Sequence, residues 1–388
     1  MEKKIALVGC GNAGCQVAKR GAEMYPELWD CVYINSSEAD LSMVPDSLGI
    51  KYKIGDRDEI EGSGKNRMKM KQYLKADINH ILGDQKLQVC LSTKKYVFVI
   101  TSAAGGTGSG ASPVLTELLQ QMFPDSNFVL VGILPQMNAS LMEQGNALEF
   151  LTELYDVLGE STTYMMYDNE STSNMPATKA LEEVNQQIIE DIRVLSGVDN
   201  YPTPYESIDD ADMESIITTP GRLLVSRVTT GLTEKAMEDN NLDEIIVKNI
   251  KRSCHTETDR NKRVVRWGVI TYFTNEVNAL YTPSMEGLVN FLGTPIERFN
   301  HNAINDKSED MNFLYLVASG LSPINDRVKK ITERIQKLKE ALASDKTNQY
   351  ILAGEGASYS TLEARKKADK QANQAKEVDA NAIFSKFM

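Results

Sequence analysis

Ala104-Gly105-Gly106-Thr107-Gly108-Ser109-Gly110 is the stretch that decides how this chain folds. It follows the apolar run Tyr96-Val97-Phe98-Val99-Ile100 and precedes Pro113 and a periodic series, Val114, Leu115, Leu118, Leu119 and Met122. Glycines set among small hydroxyl residues leave a backbone that can curl around a phosphate and aim several N–H groups at it. The spacing predicts a strand before the loop and a helix opening at Pro113 after it. The dipole and orphan donors of that helix would then face the same anion. A flexible turn would share the glycines but not the strand–loop–helix setting.

A second loop, Gly9-Cys10-Gly11-Asn12-Ala13-Gly14, lies between a predicted strand over 4–8 and a helix over 12–24. Alone it matches the GxGxxG of dinucleotide-binding folds. The carboxylate that would hold a ribose about 20 residues later is missing, however. The second strand, 30–35, ends in Asn35-Ser36-Ser37 instead. Two phosphate loops suit a triphosphate better than a dinucleotide. Gly62-Ser63-Gly64-Lys65-Asn66, after a strand over 50–54, only resembles a Walker loop, because Glu59 and Asn66 stand where Gly and Ser/Thr are required. It is either a third loop near the terminal phosphate or a surface turn.

Outward from these loops, strands and helices alternate: helix 65–82, strand 128–134, helix 139–158 and strand 163–167. That pattern predicts a parallel sheet covered on both faces, with ligands outside the carboxyl ends of its strands. Helix 176–195 carries Leu181, Val184, Ile188, Ile189, Ile192 and Leu195 at helical spacing. A loop over 199–206 containing Pro202 and Pro204 reads as a boundary. Strands over 223–229, 264–274, 296–302 and 311–318 follow, as in a smaller mixed α/β domain. From Pro323, Ile324, Val328, Ile331, Ile335, Leu338 and Leu342 mark an amphipathic helix that packs on its own domain or, alternatively, on a coiled-coil partner. The remainder to Met388 reads as a mobile tail ending in an anchor, Ile383-Phe384 and Phe387. The units are therefore 1–175, a central helix 176–198, a second α/β unit 199–322, a helix 323–344 and a tail 345–388.

The 388 residues are 41% hydrophobic and 25% charged, as in ordinary globular chains. No run approaches the roughly 18 apolar residues of a membrane helix, which argues against membrane insertion. The first residues lack a signal-peptide core, so the expected location is cytoplasmic. Cys10, Cys15, Cys31, Cys90 and Cys254 read as scattered free thiols, and three histidines show no metal-ligand spacing. A net charge of −12 argues against direct DNA binding. Residues 323–388 hold thirteen Lys and Arg against nine Asp and Glu, so the basic end is the part inclined toward anionic partners.

Ser207-Ile208-Asp209-Asp210-Ala211-Asp212 opens a helix with three carboxylates in four residues. Capping accounts for some of them; a role beside a phosphate, orienting water or helping hold a cation, accounts for more.

Together these residues resemble the tubulin/FtsZ superfamily, over roughly 3–342. Gly11-Asn12-Ala13-Gly14 matches the first phosphate loop of that family, Asn35-Ser36-Ser37 the second, and Gly62-Ser63-Gly64-Lys65-Asn66 the γ-phosphate-sensing third. Ala104, Gly105, Gly106, Thr107, Gly108 and Ser109 lie in its diagnostic loop. The resemblance implies guanine contacts at Asn169, Leu181 and Asn185, with GTP or GDP and phosphate-bound Mg2+ as ligands. It also implies that Asp209 and Asp212 reach the nucleotide of the next subunit, so that hydrolysis needs a head-to-tail filament. Leu181 stands where the family has a base-stacking aromatic, Ser207 stands for the usual Asn, and the loop 135–142 lacks the Arg and Glu of cellular FtsZ. These departures, with the basic extension, are similar to plasmid- and phage-encoded tubulins of the TubZ kind, whose filaments pull a DNA–adaptor complex held by the tail. Positioning of phage DNA and a division ring are related alternatives. An NAD-dependent oxidoreductase built on residues 9–14 is the rival from another class, and a monomeric GTPase switch, which lacks its NKxD motif here, is a third.

Overall fold

The computed structural model describes residues 3–55, 61–239, 242–256, 263–281, 285–306, 311–344 and 380–388. Strand β1 (Ile5–Cys10) feeds α1 (Gly11–Met24), β2 (Trp29–Asn35) feeds α2 (Glu38–Ser42), and β3 (Ile50–Lys53) precedes α3 (Arg67–Gly83) and α4 (Gln85–Ser92). Strand β4 (Tyr96–Ser102) feeds α5 (Thr107–Met122), β5 (Asn127–Leu134) feeds α6 (Leu141–Glu153), and β6 (Thr163–Asp168) leads to α7 (Ala177–Leu195). Then come α8 (Asp210–Ile217), β7 (Gly221–Val228), α9 (Glu234–Glu238), α10 (Leu242–Arg252), β8 (Arg266–Phe273), α11 (Asn275–Leu280) and α12 (Glu286–Leu292). Strands β9 (Glu297–Ile304) and β10 (Phe313–Leu321), α13 (Asn325–Ser344) and α14 (Ala380–Phe387) follow among the described residues.

The strands form one sheet in the order β3-β2-β1-β4-β5-β6-β7-β10-β8-β9. It is parallel from β3 through β7, after which β10 pairs antiparallel to β7 and to β8. Only Thr163–Gly221 and Tyr164–Arg222 register across β6 and β7, so this is a narrow join. Along β1, Ala6, Val8 and Cys10 face one core while Ile5 and Leu7 face the other. This period-two alternation buries both faces, as a parallel sheet requires. Helices α3, α5, α6, α13 and α14 contribute to the first core and α1, α7 and α8 to the second. A third core lies between β7, β8 and β10 and helices α10 and α12.

Three expectations change. Helix α5 starts at Thr107, not at Pro113, which lies inside it. Proline cannot bond the carbonyl four residues back, so Ser109 O needs another donor, and the Arg67 guanidinium supplies it at 2.8 Å. Helix α6 is shorter than 139–158, because Ser140 and Glu143 close a capping box before Leu141 and the chain widens into a single looser turn after Glu153. Leu181 leaves the buried stripe of α7 and is 57% exposed, whereas Val184, Ile188, Ile189, Ile192 and Leu195 are buried. Helix α13 packs within the chain, against α6 of the first unit, with Ile331 and Ile335 buried along it and Ile324 buried just before it. Most of the expected tail, 345–379, lies outside the described residues, while Ile383, Phe384 and Phe387 are buried.

Candidate functional site

Strand order reverses between β1 and β4, since β1 continues to β2 on one side and β4 to β5 on the other. Ligands of open α/β sheets bind outside the carboxyl ends at such a point. Both glycine loops lie there. Helices α1 and α5 start without a side-chain cap and without acidic residues in the first turn, unlike α3, which Asn66 caps. Two sets of orphan N–H groups and two positive dipole ends are thus left for an anion.

The loops touch one another. Gly11 adopts φ +69°, and a Cβ on it would lie 2.7 Å from Gly108 N. A Cβ on Gly108 would lie 2.4 Å from Cys10 O. Only glycine permits this approach. Ser36 Oγ and Thr107 Oγ1 share a hydrogen bond of 2.7 Å, and Gly62 N donates to Ser36 O at 3.0 Å. Residues 62–65 turn through left-handed conformations at Gly62, Gly64 and Lys65. A Cβ on Gly106 would meet Ser63 Oγ at 2.3 Å and Lys65 Cα at 2.6 Å, whereas no atom lies within 4 Å of a Cβ on Gly105. The four stretches at 11–13, 35–36, 62–64 and 104–109 therefore converge. A cradle of uncapped N–H groups, with no carboxylate in the first turn of α1 or α5, fits a polyphosphate.

Asn146 and Arg67 fix the cradle from behind, and nothing in their spacing singled them out. Asn146 Nδ2 donates to Lys65 O, Ala104 O and Gly105 O at 2.9, 3.0 and 3.2 Å, joining the third loop to the diagnostic one. Lys65 Nζ pairs with Glu143 Oε1 at 2.8 Å. Burial pushes the Glu143 carboxyl up, but hydrogen bonds from Lys65 and Ser140 outweigh it and hold the group below its usual range.

Asn169 and Asn185 are half-buried at the end of β6 and on α7. Among the described residues their carboxamides bond no protein group, and Leu181 lies one turn from Asn185 with its side chain exposed. Asp168, beside Asn169, is gripped by Arg327 of α13, with Nε to Oδ2 at 2.6 Å and Nη2 to Oδ1 at 3.0 Å. The same guanidinium reaches Pro135 O at 2.5 Å, and Glu170 Oε2 accepts from Met137 N at 2.7 Å. Arg327 thereby fastens the loop after β5 to the turn that carries Asn169. Burial raises the Asp168 carboxyl above its usual range even against that guanidinium.

The acidic segment lies elsewhere. Asp209 Oδ1 caps α8 by accepting from Ala211 N and Asp212 N at 2.8 and 2.9 Å, and Asp212 Oδ2 accepts from Asp209 N at 3.1 Å. Asp210 pairs with Lys4 Nζ at 2.5 Å, and Lys95 Nζ donates to its carbonyl at 3.0 Å. Lys4 and Lys95 immediately precede β1 and β4, so this segment sits at the amino ends of strands whose carboxyl ends hold the glycine loops. Six residues of β1 separate the two ends, about 20 Å at the usual rise per residue. Asp209 and Asp212 cannot touch a phosphate held by their own subunit.

A parallel sheet whose small-residue loops converge on one anion cradle at the carboxyl ends of its strands is the arrangement of a phosphate-binding α/β protein. Residues 4–176 match the model of the Tubulin/FtsZ family, GTPase domain. The tubulin-like protein TubZ of Clostridium botulinum C phage is 23% identical over 397 residues, spanning 100% of both chains. The crystal structure of Clostridium botulinum phage c-st TubZ superposes with a TM-score of 0.70 at 19% identity, covering 88% of this chain and 100% of that one. The GDP-form protofilaments of Bacillus thuringiensis serovar israelensis TubZ give 0.71 at 15% identity, covering 91% and 94%. Residues 4–176 are a GTPase domain of the tubulin/FtsZ family, and the chain has the tubulin/FtsZ fold.

Proposed function

We propose that this chain is a filament-forming tubulin-like GTPase that segregates or positions plasmid or phage DNA and hydrolyses GTP at the contact between successive copies. The separation of the glycine cradle from the acidic cap by the length of the sheet carries this reading, since a site split between opposite ends is completed only head to tail. Protofilaments of the Bacillus thuringiensis relative support it. Residues Gly11, Asn12 and Ala13, Asn35 and Ser36, Gly62 to Gly64 and Ala104 to Ser109 hold the phosphates, chiefly through backbone N–H groups. A Mg2+ ion carried on those phosphates supplies charge neutralisation. Asn169 and Asn185 match the exchanged donors and acceptors of guanine, and Leu181 covers the base. From the neighbouring copy, Asp209 and Asp212 orient and polarise the attacking water.

Residues 1–175 form the GTP-binding unit, 199–322 the unit that presents the acidic segment, and the central helix joins them. The basic end recruits a DNA-binding adaptor protein, which suits a chain of net charge −12 better than direct contact with DNA. Phosphate release per subunit should rise steeply above a threshold protein concentration. A flat specific activity through the dilute range would show that the site is complete in one subunit.

A further inference from the structure

We infer that the groove between α3 and α5 is a docking site for the chain's own C-terminal helix, and that its occupancy and GTP binding reinforce each other. This rests on the nucleotide reading above. Helix α14 has eight residues, too few to persist alone in water, so its folding and its docking are one event. It presents Ile383, Phe384 and Phe387 on one face and buries all three against α3 and α5, while Asn381, Ala382, Ser385 and Lys386 stay exposed. Lys386 Nζ pairs with Glu117 Oε1 of α5 at 2.9 Å.

Shape alone would make this a simple apolar dock; the polar groups beneath it point further. Lys71 of α3 lies under α14 with its side chain 2% exposed, and its ammonium donates to Phe387 O at 2.7 Å. Burial lowers the pKa of that ammonium, and Glu153 opposes the shift. Glu153 pairs with Lys71 on one side and accepts from Arg67 Nη2 at 2.7 Å on the other. Arg67 donates to Ser109 Oγ at 3.1 Å and to Ser109 O at 2.8 Å, the carbonyl that Pro113 leaves without a helical donor.

An unbroken series of charged hydrogen bonds thus runs from the last turn of the chain to the diagnostic loop. When α14 is seated, the Lys71 ammonium is kept from water, its partner Glu153 is only 13% exposed, and Arg67 is held on the first turn of α5. When it leaves, both charges hydrate and that hold slackens. A ligand that orders the loop must therefore favour the seated helix, and by linkage the seated helix must favour the ligand by the same factor.

The test uses the full-length protein below the assembly threshold. GTPγS should slow hydrogen exchange of residues 380–388, and the double substitution Phe384→Ala/Phe387→Ala should weaken GTPγS binding by that same factor, on the order of 5–150-fold for such couplings. Lys71→Met, which keeps the apolar dock, should leave α14 protected but indifferent to nucleotide. GTPγS binding with no change in α14 exchange and undiminished affinity in the double variant would overturn this inference alone. Protection that appears only above the assembly threshold would also overturn it, by placing the helix on a neighbouring copy. Failure to bind GTPγS at all would overturn the nucleotide reading and this inference with it.

Discussion

Gly105 and Gly106 are neighbours with opposite surroundings, and exchanging each for alanine separates folding from binding. At Gly106 a Cβ would lie 2.3 Å from Ser63 Oγ and 2.6 Å from two backbone atoms of Lys65, a residue already at φ +61°. The backbone of the third loop must move, and overpacking of this kind costs about 1–3 kcal/mol. At Gly105 no atom lies within 4 Å and φ is not left-handed, so alanine fits the protein as it stands. There it should stabilise by about 0.4–1 kcal/mol through the unfolded chain. If the loop wraps the phosphates, the added methyl shields the N–H groups that would bind them. Leaving even one charge-assisted bond unmade costs about 1.5–3 kcal/mol, or roughly 10- to 150-fold in affinity. Nucleotide-free Gly105→Ala should therefore melt at or above the wild-type temperature and bind GTP at least tenfold more weakly. Gly106→Ala should lose both stability and binding. Thermal melting and titration of a fluorescent GTP analogue read the two quantities separately. Normal GTP affinity in Gly105→Ala would refute the assignment of this loop to the phosphates.

Asp212→Asn keeps an oxygen to accept from Asp209 N, so α8 should retain its cap while hydrolysis slows by ~10²–10⁴; sedimentation with phosphate release on one sample should show filaments that form and persist. Asn185→Ala should narrow the preference for GTP over ATP by about 1–3 kcal/mol in competition binding, since a guanine edge is left unmatched. Arg327→Met strands a buried carboxylate and should destabilise by about 3–5 kcal/mol. The folded-state pKa of Asp168 is already raised, and losing the guanidinium raises it further. The protonated acid is the form that suits the fold, so the deficit should shrink in acid and grow as pH rises through the carboxylate range, as melting across pH would show.

Much of the architecture is legible because a doubly covered parallel sheet writes itself as apolar runs punctuated by small-residue loops. Strands β1, β2, β4, β5 and β6 fall within a few residues of their expected positions for that reason. Pro113 misleads, since its missing N–H marks a helix start in most contexts, and here a side chain distant in sequence repairs the defect. Leu181 misleads in the other direction: its spacing fits the α7 stripe, but in that turn the buried face passes through Ala180 and Val184, and Leu181 lies one position off it, in solvent. Arg67, Asn146 and Arg327 leave no trace in local pattern because each acts across tens of residues, on backbone carbonyls or a carboxylate that any sequence possesses. The acidic segment is visible as composition, yet only the lysines at the feet of β1 and β4 reveal which end of the sheet it occupies.

That placement bears on how an assembly of such subunits stops. In the head-to-tail filament proposed above, the cradle of one copy would meet the acidic cap of the next, a heterologous contact that leaves an open filament unless its rotation happens to close a ring. Growth of such a filament would have two chemically different tips, one displaying a half-site that lacks its acids and the other displaying acids without a nucleotide. A subunit damaged at only one of its ends can still join a chain through the sound one. It then bars the next arrival, so a small proportion of such subunits would poison a large pool of intact ones, and which tip they block would depend on which end was altered.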